Sequence, residues 1–355
     1  DVRIEFYATV RMPEPFLPAG TVIAREQNYI YTFHKDNAAL QAAAPVKETE
    51  TQAIYSGKNF KAVFDKKSGM LVSYKYNGME YILNGQGLHP NFWRAPIDND
   101  YGAGLPHKLG VWKEVSYGEV TAAVFNARNG EVTCSYKFPK ADASWDITYK
   151  IYADGVIKVN NRFVAANEKT PMIPRIGLRM QMPETFTTLT YYGRGPEENY
   201  RDRRTSQFFG EYSLPIKDMY EPYIRPQENN HRTDIYWCAF TNKSGAGLLL
   251  VADRTFELNA SNHPLETLDS GDDLHNAAPR TAETDHRHLT DPKPEKVVDV
   301  FVDYRMMGIG GDNSWGALPH EPYLIRTGSG NAIEYGFTLV PFGRKVDFRN
   351  LIYQY

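Results

Sequence analysis

The strongest constraint on the fold is a series of short alternating segments joined by tight-turn sequences. Asn77-Gly78, Asp154-Gly155 and Asn242-Lys243-Ser244-Gly245 each separate two runs rich in β-branched and aromatic residues. Asn-Gly and Asp-Gly pairs accept the positive φ angles of hairpin turns, so each of these sequences predicts two antiparallel neighbours. Helical periodicity is confined to short stretches at 107–114 and 199–204. The pattern predicts an all-β protein with one large antiparallel sandwich.

Composition agrees with a globular protein that has no nucleic-acid or membrane partner. The 355 residues are 42% hydrophobic and 23% charged, with a formal net charge of −3. This balance gives no basic surface for nucleic acid, and no apolar run reaches the ~18 residues that a membrane-spanning helix needs. Cys134 and Cys238 lie in strand-like runs, and we expect both to be buried and free.

A glycine-rich segment precedes a tryptophan near the C-terminal end. Gly308-Ile309-Gly310-Gly311-Asp312-Asn313-Ser314-Trp315 follows the strand-like run 297–304. Glycines at this density allow positive φ and a tight turn, so we expect the indole of Trp315 at a loop tip. There it either closes the end of the sandwich core or offers a flat apolar face on which a sugar ring can stack.

Three further segments combine charged, amide and aromatic residues. The segment Arg94-Ala95-Pro96-Ile97-Asp98-Asn99-Asp100 is typical of a buried salt-bridged corner or of a polar ligand site, and we favour the corner. Glu197 and Glu198 are adjacent in the sequence, so their side chains point in different directions. We therefore prefer charge-paired loop architecture, in which ion pairs hold a loop in place, to a general acid–base pair. Residues 220–232 form either a carbohydrate-binding loop or a buried connection.

Five segments of the chain resemble the large β-galactosidases of glycoside hydrolase family 2, and they occur in the family's order. The segments are residues 92–100, Pro174-Arg175-Ile176-Gly177, residues 192–203, Asp218-Met219-Tyr220 with Pro226-Gln227-Glu228-Asn229, and residues 308–315. One such match would be weak, whereas five in order from residue 92 to residue 315 are specific. The chain therefore resembles the C-terminal part of such an enzyme.

The resemblance implies a domain organisation. It places the end of an immunoglobulin-like domain at residues 1–35, a linker at residues 36–51 and a supersandwich of the galactose-mutarotase type at residues 52–355. The chain starts within a strand-like run and without an initiator methionine. We therefore expect it to come from a longer parent protein.

For that parent, the resemblance implies a retaining β-galactosidase that hydrolyses terminal β-D-galactosides such as lactose. Retaining hydrolysis uses two carboxylates about 5 Å apart, one as nucleophile and one as acid and base. The resemblance places both carboxylates, with the ligands of Mg²⁺ and Na⁺, on an upstream catalytic barrel of the same polypeptide. We therefore expect this chain alone to be inactive and to hold neither a catalytic residue nor a metal.

The resemblance also assigns binding residues. Trp315 would reach the mouth of the active site and stack on the sugar, while Asp312, Asn313 and Ser314 support its loop. A second set is expected in a sugar groove or an interface and comprises Arg94, Asp98, Asn99, Arg194, Glu197, Glu198 and Asn199. The implied partners are the β-galactoside, the upstream catalytic domain and, since the family often forms dimers or tetramers, further copies of the chain.

Two alternative functions come from other classes. A mutarotase-like sandwich could be an aldose 1-epimerase, with His286, His288 and Glu334 as candidates for proton transfer. If they lie in a strand, His286 and His288 point to the same face and could also bind a metal. No cysteine or HExxH motif supports a zinc site there. The other alternative is a stand-alone carbohydrate-binding module.

Overall fold

The chain divides into two compact units, which apart from the last two residues are Asp1–Ala39 and Leu40–Tyr353. The structure is a computed structural model that describes residues 2–32, 42–165, 170–269, 288–313, 316–328 and 332–355. The first unit holds an antiparallel pair, β1 (Val2–Thr9) and β2 (Val22–Tyr31). Its apolar side chains are exposed, because two strands cannot enclose a core. That the pair ends an immunoglobulin-like domain stays a prediction.

A five-stranded antiparallel sheet opens the second unit. Its strands follow one another in sequence order: β3 (Val46–Glu48), β4 (Gln52–Ser56), β5 (Phe60–Asp65), β6 (Leu71–Tyr76) and β7 (Met79–Glu80). Asn77 and Gly78 join β6 to β7 with φ angles of +49° and +80°, as the turn sequence predicts. The stretch predicted as a linker, residues 36–51, contains β3, because Val46–Glu48 pair with β4.

The other described strands form one twelve-stranded antiparallel sheet. They are β8 (His89–Asn91), β9 (Val124–Arg128), β10 (Glu131–Phe138), β11 (Ala143–Ile151), β12 (Ile157–Ala165), β13 (Arg175–Pro183), β14 (Phe186–Gly195), β15 (Phe208–Pro215), β16 (Arg232–Asn242), β17 (Gly247–Ser261), β18 (Val297–Met306) and β19 (Ala332–Phe342). Across the sheet the order is β15-β14-β16-β17-β19-β12-β11-β10-β9, and β13 pairs with both β8 and β18. The predicted turns at Asp154-Gly155 and at residues 242–245 join β11 to β12 and β16 to β17.

One face of the large sheet packs against the five-stranded sheet. Trp145, Ile147 and Tyr149 alternate along β11 with half-buried polar residues, so only one face of the strand enters the core. Phe64 of β5 packs on Tyr149 with 5.0 Å between ring centroids. The structure therefore confirms the predicted all-β class and the large antiparallel sandwich. Both cysteines are buried and free, as expected.

Short helices occupy the connections between strands. They are α1 (Asp98–Gly102), α2 (Leu105–Lys108), α3 (Gly110–Tyr117), α4 (Leu265–Leu268) and α5 (Arg349–Ile352). The helical prediction at 107–114 is confirmed, but the one at 199–204 is wrong. A turn closed by a Tyr200–Arg203 bridge lies there, because the Asn199 side chain binds backbone groups and competes with helix formation. In the described residues no helix is long and apolar enough to cross a membrane.

The sheet divides along β17. Residues 247–252 of this strand pair with β19, whereas residues 257–261 pair with β18. Residues 253–256 pair with neither of these two strands, and the register with β16 shifts in the same region. A broad groove therefore opens between the end of β18 and the first half of β19, on the sheet face that lies away from the core.

Candidate functional site

A tight loop follows the buried strand β18, and we call residues 307–313 the glycine loop. Gly310 has a φ of +75° and Gly311 a φ of +142°, values that other residues rarely adopt. Gly308 is required for a different reason, since a Cβ atom there would lie 2.3 Å from Asp202 Oδ2. Ser314 and Trp315, which follow the loop, lie outside the described residues.

The carboxylate of Asp202 binds two consecutive backbone N–H groups of the glycine loop. Ile309 N–H donates to Oδ1 at 3.0 Å, and Gly310 N–H donates to Oδ2 at 2.9 Å. Such charge-assisted hydrogen bonds fix the direction of the backbone. The third of the five resembling segments, residues 192–203, thus directly contacts the fifth.

Arg94 binds the first two carbonyl groups of the same loop. Its Nη1 donates to Met307 O at 2.8 Å, and its Nη2 donates to Gly308 O at 3.1 Å. Asp100 orients the guanidinium through a bidentate pair of 3.0 and 2.8 Å. Because Arg94 is only 1% exposed, this pairing offsets the cost of removing its charge from water. Asn99 Nδ2 adds a hydrogen bond to Ile309 O at 3.3 Å.

Of the two remaining segments, one contacts the glycine loop directly and the other contacts helix α1. Met307 N–H donates to Pro174 O at 2.9 Å. Gln227 Nε2 donates to Asp98 Oδ2 at 3.3 Å and so joins the fourth segment to helix α1, which carries Asn99. Most of the glycine loop belongs to the fifth segment; three of the other four segments contact it directly, and the remaining one contacts helix α1. This convergence gives them a common structural purpose.

Beyond the loop, Asp312 and Asn313 make local contacts. Asn313 Oδ1 accepts the N–H of Ala317 at 3.2 Å, a side-chain-to-backbone bond of the kind expected for loop support. The carboxylate of Asp312 instead lies 2.8 Å from His320 Nε2, and this hydrogen bond raises the pKa of the exposed His320. Sugar contact by these residues stays a prediction.

A buried charge network lies behind the glycine loop. Arg175 Nε donates to Asp303 Oδ2 at 2.9 Å, and Nη2 contacts Glu228 Oε1 at 3.2 Å. Two carboxylates thus share one guanidinium. Burial raises the pKa of Asp303 to about 7; Arg175 opposes this rise, and the charges of Glu257 and Glu228 add to it. Asp303 Oδ1 has no hydrogen-bond partner among the described residues.

Glu257 connects this network to the start of the loop. Its carboxylate accepts hydrogen bonds from His231 Nε2 at 3.0 Å, Arg201 Nη1 at 3.2 Å and Met306 N–H at 2.7 Å. Burial alone would raise the pKa of Glu257, but the contacts with His231, Arg201 and Met306 bring it below its ordinary value. A carboxylate satisfied by three protein donors acts as a structural anion.

The adjacent Glu197 and Glu198 point to different environments. Glu197 is exposed, whereas Glu198 is buried and accepts hydrogen bonds from Arg203 Nη2 at 2.6 Å, Asn230 N–H at 2.8 Å and Tyr200 O–H at 3.1 Å. Tyr223 O–H donates to the same carboxylate. This arrangement has the form of charge-paired loop architecture.

Arg194 and Asn199 complete that architecture. Arg194 Nε donates to Asp234 Oδ2 at 2.8 Å, and its guanidinium stacks 4.5 Å from the centroid of Phe209. Asn199 Oδ1 accepts both the N–H and the O–H of Thr233, at 3.0 and 2.6 Å. None of the seven residues predicted for a sugar groove or interface lines the groove beside β17. Their role in binding stays a prediction.

Sequence reasoning missed Asp303 and Glu257 as members of the buried network. A signal was available for the first, since Asp299 and Asp303 are acids within the otherwise apolar run of β18, and both are buried. Acids at buried strand positions need partners, and the partners here are Arg179 at 2.8 Å and Arg175. Both arginines lie on β13, which is adjacent to β18.

The structure describes two of the three residues considered for an epimerase. His286 lies outside the described residues, and His288 is exposed, with Nδ1 3.4 Å from Asp291 Oδ2. Glu334 pairs with Arg162 at 3.4 Å on the groove face. Within the described part of the chain, no group of three or more His, Cys, Asp or Glu residues is arranged to hold a metal ion.

Known structures similar to this chain are of the galactose-mutarotase type. A galactose mutarotase related enzyme from Lactobacillus acidophilus is 10% identical, with a TM-score of 0.49, and the match covers 82% of this chain and 98% of that one. An aldose epimerase homologue from C. elegans is 12% identical, with a TM-score of 0.45, covering 81% and 98%.

Sequence comparison finds closer relatives. A beta-galactosidase of Priestia megaterium is 33% identical over 86% of this chain, and one of Streptococcus thermophilus is 28% identical over 95%. The matches cover only 28% and 31% of those proteins, so the chain spans less than a third of the length of these relatives. Residues 56–339 match the family described as beta galactosidase small chain, and the chain belongs to that family.

Proposed function

We propose that this chain is the non-catalytic C-terminal part of a retaining β-galactosidase of glycoside hydrolase family 2, and that it completes the mouth of the active site. The observation that carries the proposal is the convergence of three distant segments on the glycine loop, with a fourth segment bound to helix α1, whose Asn99 contacts the loop. Arg94, Asn99 and Asp202 all bind backbone groups of this loop. So many contacts to one surface loop are explained if its position matters for a ligand.

In this proposal Trp315, which directly follows the glycine loop in sequence, stacks on the substrate sugar. A loop fixed by hydrogen bonds has already lost its conformational entropy, so less is lost when the sugar binds. Stacking on an indole contributes about 1 kcal/mol beyond the burial of apolar area. The substrate class is terminal β-D-galactosides of the lactose type.

The chemical step belongs, in this proposal, to an upstream catalytic domain of the same polypeptide. That domain would supply the two carboxylates and would bind Mg²⁺ and Na⁺, and the assembled protein could form homo-oligomers. The acids of this chain that lie near the glycine loop already have protein partners. Asp202, Glu198 and Glu257 each accept hydrogen bonds from two or more groups. They are poorly placed to act as a nucleophile.

The proposal is tested by assaying hydrolysis of a chromogenic β-galactoside by the 355-residue chain and by its full-length parent. We expect activity only in the parent. In the parent, Trp315→Ala should raise KM by about tenfold and lower kcat less, because stacking binds the ground state and the transition state alike. Trp315→Phe should restore most of the affinity, and Val124→Ala, at an exposed residue of strand β9, is the surface control.

Two results would contradict the proposal. Hydrolysis by the 355-residue chain alone would place a catalytic pair within it. A collapse of kcat with unchanged KM in Trp315→Ala would give the indole a role other than sugar binding.

A further inference from the structure

The groove beside β17 is a large cavity that the function proposed above does not use. It encloses about 990 Å³ and lies where β17 leaves β19 and joins β18. Its walls come from β11, β12, β17, β18 and β19, so rigid strands rather than loops hold most of its side chains. A preformed concave surface of this size is large enough for a small ligand.

The floor of the groove is a row of short side chains on neighbouring strands. Thr148 lies opposite Asn160, and Asn160 lies opposite Gly336. A Cβ atom at Gly336 would lie 2.5 Å from Asp253 Oδ2 and 3.1 Å from Asn160 Oδ1. The missing side chain thus gives the groove its depth and leaves an amide and a carboxylate at the bottom.

Charges of both signs line the walls in nearly equal number. The lining residues include five acids (Asp146, Asp234, Asp253, Glu257 and Glu334) and four arginines (Arg162, Arg201, Arg254 and Arg305). Three further cations pair with two of these acids: Lys158 with Asp253, and Arg194 and Arg204 with Asp234. Several of these charges pair with one another, as Arg162 does with Glu334 at 3.4 Å and Asp146 at 4.0 Å. Charges paired in this way offer little attraction to a phosphate-bearing or polyanionic ligand.

The groove also contains aromatic rings and unused donors. Tyr304 and Tyr335 line it with 6.1 Å between their ring centroids. The Nε atoms of Arg201 and Arg305 are buried and have no hydrogen-bond partner among the described residues. Carboxylate, guanidinium, amide and hydroxyl groups beside a ring match a ligand that has many hydroxyl groups and apolar ring faces.

We propose that this groove binds a neutral saccharide at a site separate from the glycine loop. Sugar hydroxyls both donate and accept hydrogen bonds, so paired acids and arginines can bind one diol between them. A lipid would leave these charged groups unpaired, and an anionic ligand would be repelled by the carboxylates that already pair with Arg162 and Arg201. The proposal does not rest on the function proposed above.

Isothermal titration of the 355-residue chain with lactose and galactose tests the proposal, with galacturonate as the anionic probe. We expect the neutral sugars to bind and galacturonate to bind more weakly. Asn160→Ala removes a floor amide, and Gly336→Val fills the floor; each should weaken lactose binding by about tenfold or more. Lys137→Ala, at an exposed residue of β10, should stay within about twofold of the unaltered chain.

A second measurement does not depend on variants that could misfold. In the unaltered chain, lactose should slow amide hydrogen exchange at residues 253–257 and 332–336 relative to residues 124–128 of β9. The proposal fails if neither lactose nor galactose binds, or if galacturonate binds more tightly than both. It also fails if Trp315→Ala abolishes binding while both groove variants bind normally. That last result would place the sugar at the glycine loop and leave the function proposed above standing.

Discussion

Asp202 shows how a single carboxylate sets the course of the glycine loop. Its two oxygens accept the N–H groups of Ile309 and Gly310. We expect Asp202→Ala to lower the free energy of unfolding by about 1–2 kcal/mol, because two donors lose a charged acceptor. Asp202→Asn keeps one acceptor and should lose less. Urea unfolding measures the loss, and faster amide exchange at residues 309 and 310 locates it.

Asp218→Ala is the control for this prediction. Asp218 is exposed, and its contact with Lys217 is 3.9 Å long, so its removal should change stability by about 0.5 kcal/mol or less. Equal stability losses for Asp202→Ala and Asp218→Ala would show that the loop does not depend on the carboxylate of Asp202.

Asp303 makes stability depend on pH. Its pKa is about 7 in the folded protein, whereas an unfolded aspartate titrates near about 4. Between these values the folded state holds a proton that the unfolded state has released. Protonation of Asp303 therefore adds to the free energy of unfolding at low pH. This contribution is lost as the pH rises from about 4 to 7, and it does not change further above pH 7. We expect Asp303→Asn to lose less stability between pH 5 and pH 7.5 than the unaltered chain, in urea unfolding at matched ionic strength.

The prediction is tested by how the free energy of unfolding changes with pH in the two proteins, and not by its absolute value. Asp303→Asn keeps an oxygen for Arg175, so its absolute stability can differ while all other titrating groups stay the same. Parallel profiles for the two proteins would mean that Asp303 is ionised throughout this pH range.

At the scale of elements, helix α1 and the chain beyond the glycine loop approach each other closely. Gly316 has a φ of +96°, and a Cβ there would lie 2.3 Å from the carbonyl carbon of Gly102 and 2.4 Å from the nitrogen of Ala103. Gly316→Ala combines backbone strain of about 1–2 kcal/mol with an overpacking cost of about 1–3 kcal/mol. Thermal and urea unfolding should both show a large loss of stability.

Gly245→Ala is the matched control at this scale. Gly245 has a similar φ of +80°, but the nearest atom to its added Cβ is Arg344 O at 3.7 Å. Only the strain should remain, and the stability loss should be correspondingly smaller. If both variants lose the same amount, α1 and the residue 316 region can separate without cost.

At the scale of the whole molecule, the two units should differ in local stability. The β1–β2 pair is a two-stranded sheet with exposed Phe6, Tyr7 and Tyr31, whereas β16 and β17 are central strands with a buried core face. Two-stranded sheets are marginal in water. We expect amide hydrogen exchange in β1 and β2 to be at least about a hundredfold faster than in the Trp237–Leu250 region of the large sheet. Equal protection would show that another part of the protein or a second copy covers the pair.

Local sequence determined much of this protein. Asn77-Gly78 and Asp154-Gly155 gave correct hairpins, because a turn depends on the φ angles of a few adjacent residues. In β10, β11 and β12 buried residues alternate with more exposed ones, since side chains in a strand alternate between its two sides. The order of five segments indicated a β-galactosidase, and residues 56–339 match the family described as beta galactosidase small chain.

Only the tertiary structure decided which segments meet. Arg94 and Gly308 are 214 residues apart in the chain, and Arg175 and Asp303 are 128 apart, so no local pattern predicts either pair. The groove is a further case, since it depends on β17 changing its neighbour from β19 to β18. Turns and alternation arise from interactions between near neighbours in the chain. The glycine loop's contacts, the shared guanidinium and the groove arise from strand pairing across long separations, which packing of the whole core selects.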